Sequence, residues 1–120
     1  MKAILIDVEN KEVKEVEYEG DYTQVYKFIN CELFSMVSID KENIIYVDDE
    51  GLLNKPTKFF QIACYRDQLA GNGLILGVDH LGDSVSTSLS VEDIESMVTF
   101  IDYDNPEEAP QPEAHTFTVL

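Results

Sequence analysis

Lys2-Ala3-Ile4-Leu5-Ile6-Asp7-Val8 opens the chain with apolar side chains on both sides of a strand. Ile4, Ile6 and Val8 share one face, and Ala3 and Leu5 fill the other. Such a strand is buried on both sides, so its sheet needs cover on both faces. Leu74-Ile75-Leu76-Gly77-Val78 is a second strongly apolar strand, entered by a tight turn at Gly71-Asn72-Gly73. No basic residue follows those glycines and a strand, not a helix, comes next, so they do not read as a phosphate-cradling loop.

Between and around these two strands the pattern is mostly of strands. After the polar turn Glu9-Asn10-Lys11, residues 13–19 alternate, with Val16 and Tyr18 facing inward. Gly20 breaks that strand. Asp21 as N-cap, with Gln24 three residues on, opens a helix over 22–30 whose apolar stripe is Tyr22, Val25, Tyr26 and Ile29. Strands are expected at 33–39 and 43–47, joined by Asp40-Lys41-Glu42-Asn43 and followed by a turn at Asp48-Asp49-Glu50-Gly51. Pro56 blocks a central strand around it, but Phe59, Phe60, Ile62 and Ala63 can re-enter the core. The turn at 79–83 and the alternation Val85, Thr87, Leu89 predict a hairpin with 74–78.

Ser90 and Asp93 form a capping pattern for a second helix, with Val91, Ile94, Met97, Val98 and Ile101 as its expected apolar face. Beyond Tyr103, Pro106, Pro110 and Pro112 stand among acids and read as a tail, extended or mobile, over 104–120. Within it His115-Thr116-Phe117-Thr118-Val119 alternates as an edge strand or a frayed end. Strands outnumber helices without strict alternation. The expectation is one α+β domain over 1–103, built on a mixed, mostly antiparallel sheet of about five to seven short strands with two short α-helices.

The charge is lopsided. Twenty-four Asp and Glu stand against eight Lys and Arg in 120 residues, a formal net charge of −16. Residues 1–66 hold all eight cations and carry −5, while 67–120 hold none and carry −11. Acids beyond Arg66 must find counter-charge across the fold, from ions or from another molecule. A surface of this kind repels nucleic acid and anionic membrane, whose binding depends on Lys and Arg, so neither is an expected partner. The first apolar run ends at Asp7, too early for a secretory segment, and no stretch reaches the roughly 18 apolar residues of a membrane span. Cys31 and Cys64 lack any CxxC pairing, and the expectation is a cytosolic protein with reduced, buried thiols, a disulfide between the two being the lesser alternative.

Catalytic signals are sparse. Cys64, His80 and Asp83 can be drawn as a triad, but no spacing signature supports one. Asp102, Asp104, Glu108 and Glu113 occupy positions 1, 3, 7 and 12 of an EF-hand loop. That loop fails, with Pro106 at position 5 and Glu107 where glycine is needed. Asp48-Asp49-Glu50 and Asp79 to Asp83 are residue types that hairpin turns favour without a metal. No enzyme activity, cofactor or metal is expected.

The spaced acids carry more. Glu15, Glu17 and Glu19 recur at every second position, about 6.6 Å apart along one strand face. Glu92 and Glu95 share one side of the second helix, and Asp102 and Asp104 extend the charge. These seven are the candidate partner-binding surface, an array of carboxylates able to stand in for phosphates in a basic groove. The other reading is a small regulatory or interaction module whose acidity serves solubility only.

The opening Met1-Lys2-Ala3-Ile4-Leu5-Ile6-Asp7, the segment from Val16-Glu17-Tyr18-Glu19-Gly20-Asp21-Tyr22 through Ile29-Asn30-Cys31, and Leu69-Ala70-Gly71-Asn72-Gly73-Leu74-Ile75-Leu76-Gly77 resemble a family. Its members are small uncharacterised proteins of bacteriophages, plasmids and their bacterial hosts. The resemblance covers residues 1 to about 100 and brings no catalytic residues with it. It implies a mobile-element setting, in which a small acidic protein is expected to block a host nuclease or other nucleic-acid-binding defence protein by mimicking DNA.

Overall fold

Nine strands and two α-helices stand among residues 1–111, which the computed structural model describes. The strand expected at 115–119 lies outside them. In chain order the elements are β1 (Lys2–Asp7), β2 (Glu12–Glu17), α1 (Tyr22–Ile29), β3 (Phe34–Ser38), β4 (Asn43–Asp48), β5 (Lys58–Ile62), β6 (Leu69–Ala70), β7 (Gly73–Val78), β8 (Ser84–Val85), α2 (Val91–Glu95) and β9 (Val98–Asp102). Two 3-10 turns, Gly51–Asn54 and Pro106–Glu108, complete them.

Among the described residues all pairings are antiparallel, and the strands form two sheets where one was expected. The larger runs β2-β1-β7-β4-β3, with β8 on β7 beyond the end of β1; the smaller runs β6-β5-β9. One rung of the larger sheet crosses Glu15, Ile4, Ile75, Ile45 and Val37. Its three central side chains are fully buried, which is why the two apolar strands end up side by side. The adjacent rung, Lys14, Leu5, Leu74, Tyr46 and Met36, turns to the opposite face.

Each face carries its own core. Ala3, Leu5, Tyr18, Leu74 and Leu76 pack beneath α1 through Val25 and Ile29. Asp21 caps that helix by accepting from the Thr23 N–H at 2.9 Å, while Gln24 accepts from the Glu19 N–H at 2.7 Å. On the other face Ile4, Ile6, Val13, Ile45 and Ile75 meet Phe60 and Ile62 of β5 and Ile94 of α2. The smaller sheet has an outer face as well, where Phe59 and Ala70 are covered by Leu52 and Ala109. The acidic stretch from 104 therefore stays packed at least to Ala109, which is 6% exposed.

The second helix is shorter than its periodicity predicts. Ser90 and Asp93 form the reciprocal capping box, but the helix ends at Ser96. Val98-Thr99-Phe100-Ile101 then runs as β9 against β5, with Val98 opposite Ile62 and Phe100 opposite Phe60. Val98 and Phe100 face one core and Ile101 faces the outer cluster. Spacings of three and four fit these apolar positions as well as alternation does. A β-branched and aromatic run beside the open edge of β5 resolves the ambiguity in favour of strand.

Two polar devices hold the larger sheet. Asn43 and Thr87, 1% and 3% exposed, are joined by a hydrogen bond from the Thr87 hydroxyl to Asn43 Oδ1. Asn43 also accepts from the Ser88 N–H and donates to Ser88 Oγ and Asp40. This ties the chain after β8 to β4. Asp7 organises the β1–β2 turn, accepting from the Glu9 and Asn10 N–H groups and from Asn10 Nδ2.

Gly77 pairs with Asn43 on one side and Val85 on the other, and a Cβ there would stand 2.5 Å from the Ser86 carbonyl oxygen. Gly77→Ala should lower stability by about 2 kcal/mol, read from urea unfolding, because the clash is with backbone rather than a mobile side chain. Burial acts to raise the Asp7 pKa, but the Asn10 and Glu9 hydrogen bonds and Lys14 outweigh it and hold the carboxyl below its ordinary 3.8. Its stabilisation is complete above that ordinary value and disappears as pH falls through the lower folded-state value. Asp7→Ala should cost about 1–2 kcal/mol at neutral pH, and the gap from the unsubstituted protein should close as unfolding is followed down through pH 3.8.

Candidate partner-binding surface

β2 is one edge of the larger sheet, and four of its six residues, Glu12, Lys14, Glu15 and Glu17, are charged. Glu15 and Glu17 lie on the face shared with Val13 and Ile4, the face on which α2 packs through Ile94. α2 contacts β2 directly, so the exposed Glu92 and Glu95 belong to the same side of the molecule. Among the described residues Glu15, Glu92 and Glu95 form no ion pair, and Glu17 meets the Met1 amine. Asp93 is occupied by Ser90, whose hydrogen bonds hold it below the usual carboxylate range.

The other three expected residues lie apart from that face or are neutralised. β2 ends at Glu17, because the Tyr18 N–H donates to the Met1 carbonyl as the last rung. Glu19 falls in the loop before α1, where its N–H bonds Gln24. Asp102 ends β9, 3.0 Å from Lys11 Nζ and 3.6 Å from Lys58 Nζ. The hydrogen bond and charge of Lys11, then Lys58, hold it below the usual carboxylate range. Counter-charge thus reaches this acid across the fold, from two cations distant in sequence. Asp104 is exposed in the bend two residues beyond the end of β9, where the expected helix does not continue.

The remaining expected clusters act on their own turns. Asp48 accepts from the Glu50 N–H at 2.9 Å, and Asp79 accepts from the Leu81 and Asp83 N–H groups, each at 2.9 Å. No group of three or more His, Cys, Asp or Glu suited to a metal occurs among the described residues, and Glu113 of the failed EF-hand lies outside them. No hydrogen bond joins Cys64 to His80. Cys64 is exposed, against expectation, because it lies in the turn that leaves β5. Cys31 is half-buried at the end of α1, where burial and then the Asp48 charge push its thiol up to about 11.

A second surface lies at the opposite edge of the sheet. β3 carries no charge at all, and the whole run Leu33 to Ile39 is uncharged. Beside it a cleft of about 660 Å³ opens between the two sheets, with Val37, Val47, Tyr65 and Leu69 among its walls and Asp48, Asp49, Glu50 and Asp67 contributing acids. The signal for this surface was the uncharged run together with its place at a sheet edge, since a longer uncharged run, Gln68–Val78, holds the central strand β7.

Together these features define a two-sheet, mostly antiparallel α+β domain whose two sheet edges differ in charge. The chain belongs to the family described as domain of unknown function DUF3846, whose profile matches residues 1–102. An uncharacterized protein of Sinorhizobium fredii (strain NBRC 101917 / NGR234), y4iR, is 28% identical over 93 residues. The match covers 76% of this chain and 58% of that protein, so the chain spans less than two thirds of its relative's length. No solved structure matches.

The raised Cys31 thiol leads to a direct check on this region. Only the thiolate is alkylated, so Cys31 should stay largely unmodified by iodoacetamide at pH 8 and react rapidly only as pH approaches 11, which peptide mass spectrometry reads.

Proposed function

We propose that this protein binds a basic, nucleic-acid-binding protein by presenting carboxylates where that partner expects phosphates. The observation that carries the reading is the union of Glu15 and Glu17 with Glu92 and Glu95 on one side of the molecule. Alternate residues on a strand repeat at about 6.6 Å, close to two phosphate steps of about 3.4 Å along one DNA strand. Three of these four acids have no ion-pair partner among the described residues. They keep their counterions until a basic surface displaces them, which is the same release that drives proteins onto DNA. The sequence resemblance to phage and plasmid proteins extends the proposal to a mobile-element inhibitor of a host nuclease or other defence protein acting in the host cytoplasm.

The test is retention of nucleic-acid-binding proteins on the immobilised chain. Bound proteins should be released between about 50 and 200 mM salt and by duplex DNA added as competitor. Joint substitution of Glu15, Glu17, Glu92 and Glu95 by Gln should reduce retention at least tenfold. Asp102→Asn, which removes a charge already paired with lysines, should change it little. Retention indifferent to both salt and DNA would refute the mimicry.

A further inference from the structure

We propose that β3 is a docking edge for an added strand from a basic partner, an extended segment with apolar alternate side chains and Lys or Arg at its ends. The inference goes beyond the β2–α2 surface and does not rest on it. The ladder sets the geometry. The Ile39 N–H donates to the Asn43 carbonyl and the Asp49 N–H to the Leu33 carbonyl. Odd-numbered residues of β3 therefore bond to β4, and the N–H and C=O groups of Phe34, Met36 and Ser38 point away from it. Open edges of this kind pair with other strands unless charge or proline protects them. β2, at the other end of the same sheet, has such protection in Glu12, Lys14, Glu15 and Glu17; β3 has none.

Both faces beside β3 can receive alternate side chains of an added strand, the feature that gives strand addition its specificity. On the α1 side Phe34 packs tilted against Tyr26 and edge-on against Tyr46, each with ring centroids 5.1 Å apart, with Tyr22 and Met36 60% and 59% exposed next to it. On the other side Ser35 and Val37 border the cleft between the sheets.

Charge selects the occupant. Glu32, Asp48, Asp49 and Glu50 flank one end of β3, and Asp40 and Glu42 flank the other against the single cation Lys41. A second copy paired antiparallel would bring the two acidic ends together, like charge on like. A strand flanked by cations is attracted at both ends while its middle meets only neutral side chains.

The probe is a synthetic peptide of five alternating Val and Thr residues between Lys pairs, titrated against the full chain by fluorescence anisotropy and amide hydrogen exchange. Binding should slow exchange at Phe34, Met36 and Ser38. Methylating the peptide nitrogens that face β3 should weaken binding at least tenfold without altering the protein. Met36→Pro should do the same, since it removes an outward N–H and no hydrogen bond to β4. A peptide with Glu pairs in place of Lys should not bind. Joint substitution of Glu15, Glu17, Glu92 and Glu95 by Gln should leave peptide binding intact, so failure of this inference is distinguishable from failure of the mimicry. The proposal is overturned if the Lys-flanked peptide does not bind, if methylation is without effect, or if the glutamine variant loses binding. It is also overturned if those three amides are already slow in the chain alone. Sedimentation would then assign the edge to a second copy or to the chain itself.

Discussion

Burial of β7 on both faces is the constraint from which the other layers follow. Leu74, Ile75 and Leu76 are all fully buried, and alternate side chains leave a strand on opposite sides. Two separate apolar surfaces must therefore be excluded from water. The eight residues of α1 cover one. The other takes β5, β9 and α2 together. Because the smaller sheet is itself two-sided, Leu52 and Ala109 are drawn onto its outer face. A stretch whose prolines and acids resemble a tail is thus recruited as a fourth layer.

The parts readable in the sequence were those where one local signal outweighed all others. Unbroken apolar runs gave β1 and β7, and capping residues gave the starts of both helices. The α+β class followed from the count of strands. The end of α2 was not readable, because Val91, Ile94, Val98 and Ile101 satisfy a helical spacing and only the open edge of β5 makes 98–102 a strand. Lys11 and Lys58 converge on Asp102 from turns and strands far away in the chain, and no sequence window contains all three. The Asn43–Thr87 contact is hidden for the same reason: both residue types look like loop polarity until the fold buries them.

The candidate surface was legible in composition and less so in geometry. Glu15, Glu17, Glu92 and Glu95 gather on one side because β2 and α2 are neighbours in the fold. Glu19 leaves the array where the strand runs out of partner. The net charge of −16 is divided unequally between the two edges of the larger sheet. One edge carries charge along the strand itself; the other confines it to the strand's ends. That separation lets one small domain offer two chemically different surfaces.

The position of β1 also bears on the order in which the molecule is made. Its first neighbour, β2, follows at once, but its second, β7, lies about seventy residues further on, with Ile4 opposite Ile75. At the about 5–20 residues per second of synthesis, the β1–β2 hairpin waits some 4–14 seconds on the ribosome with two apolar faces and an open edge. Closure of the sheet then depends on contacts distant in sequence, the kind that slow folding. Charge along β2 makes that side of the waiting hairpin a poor edge for other strands to pair with.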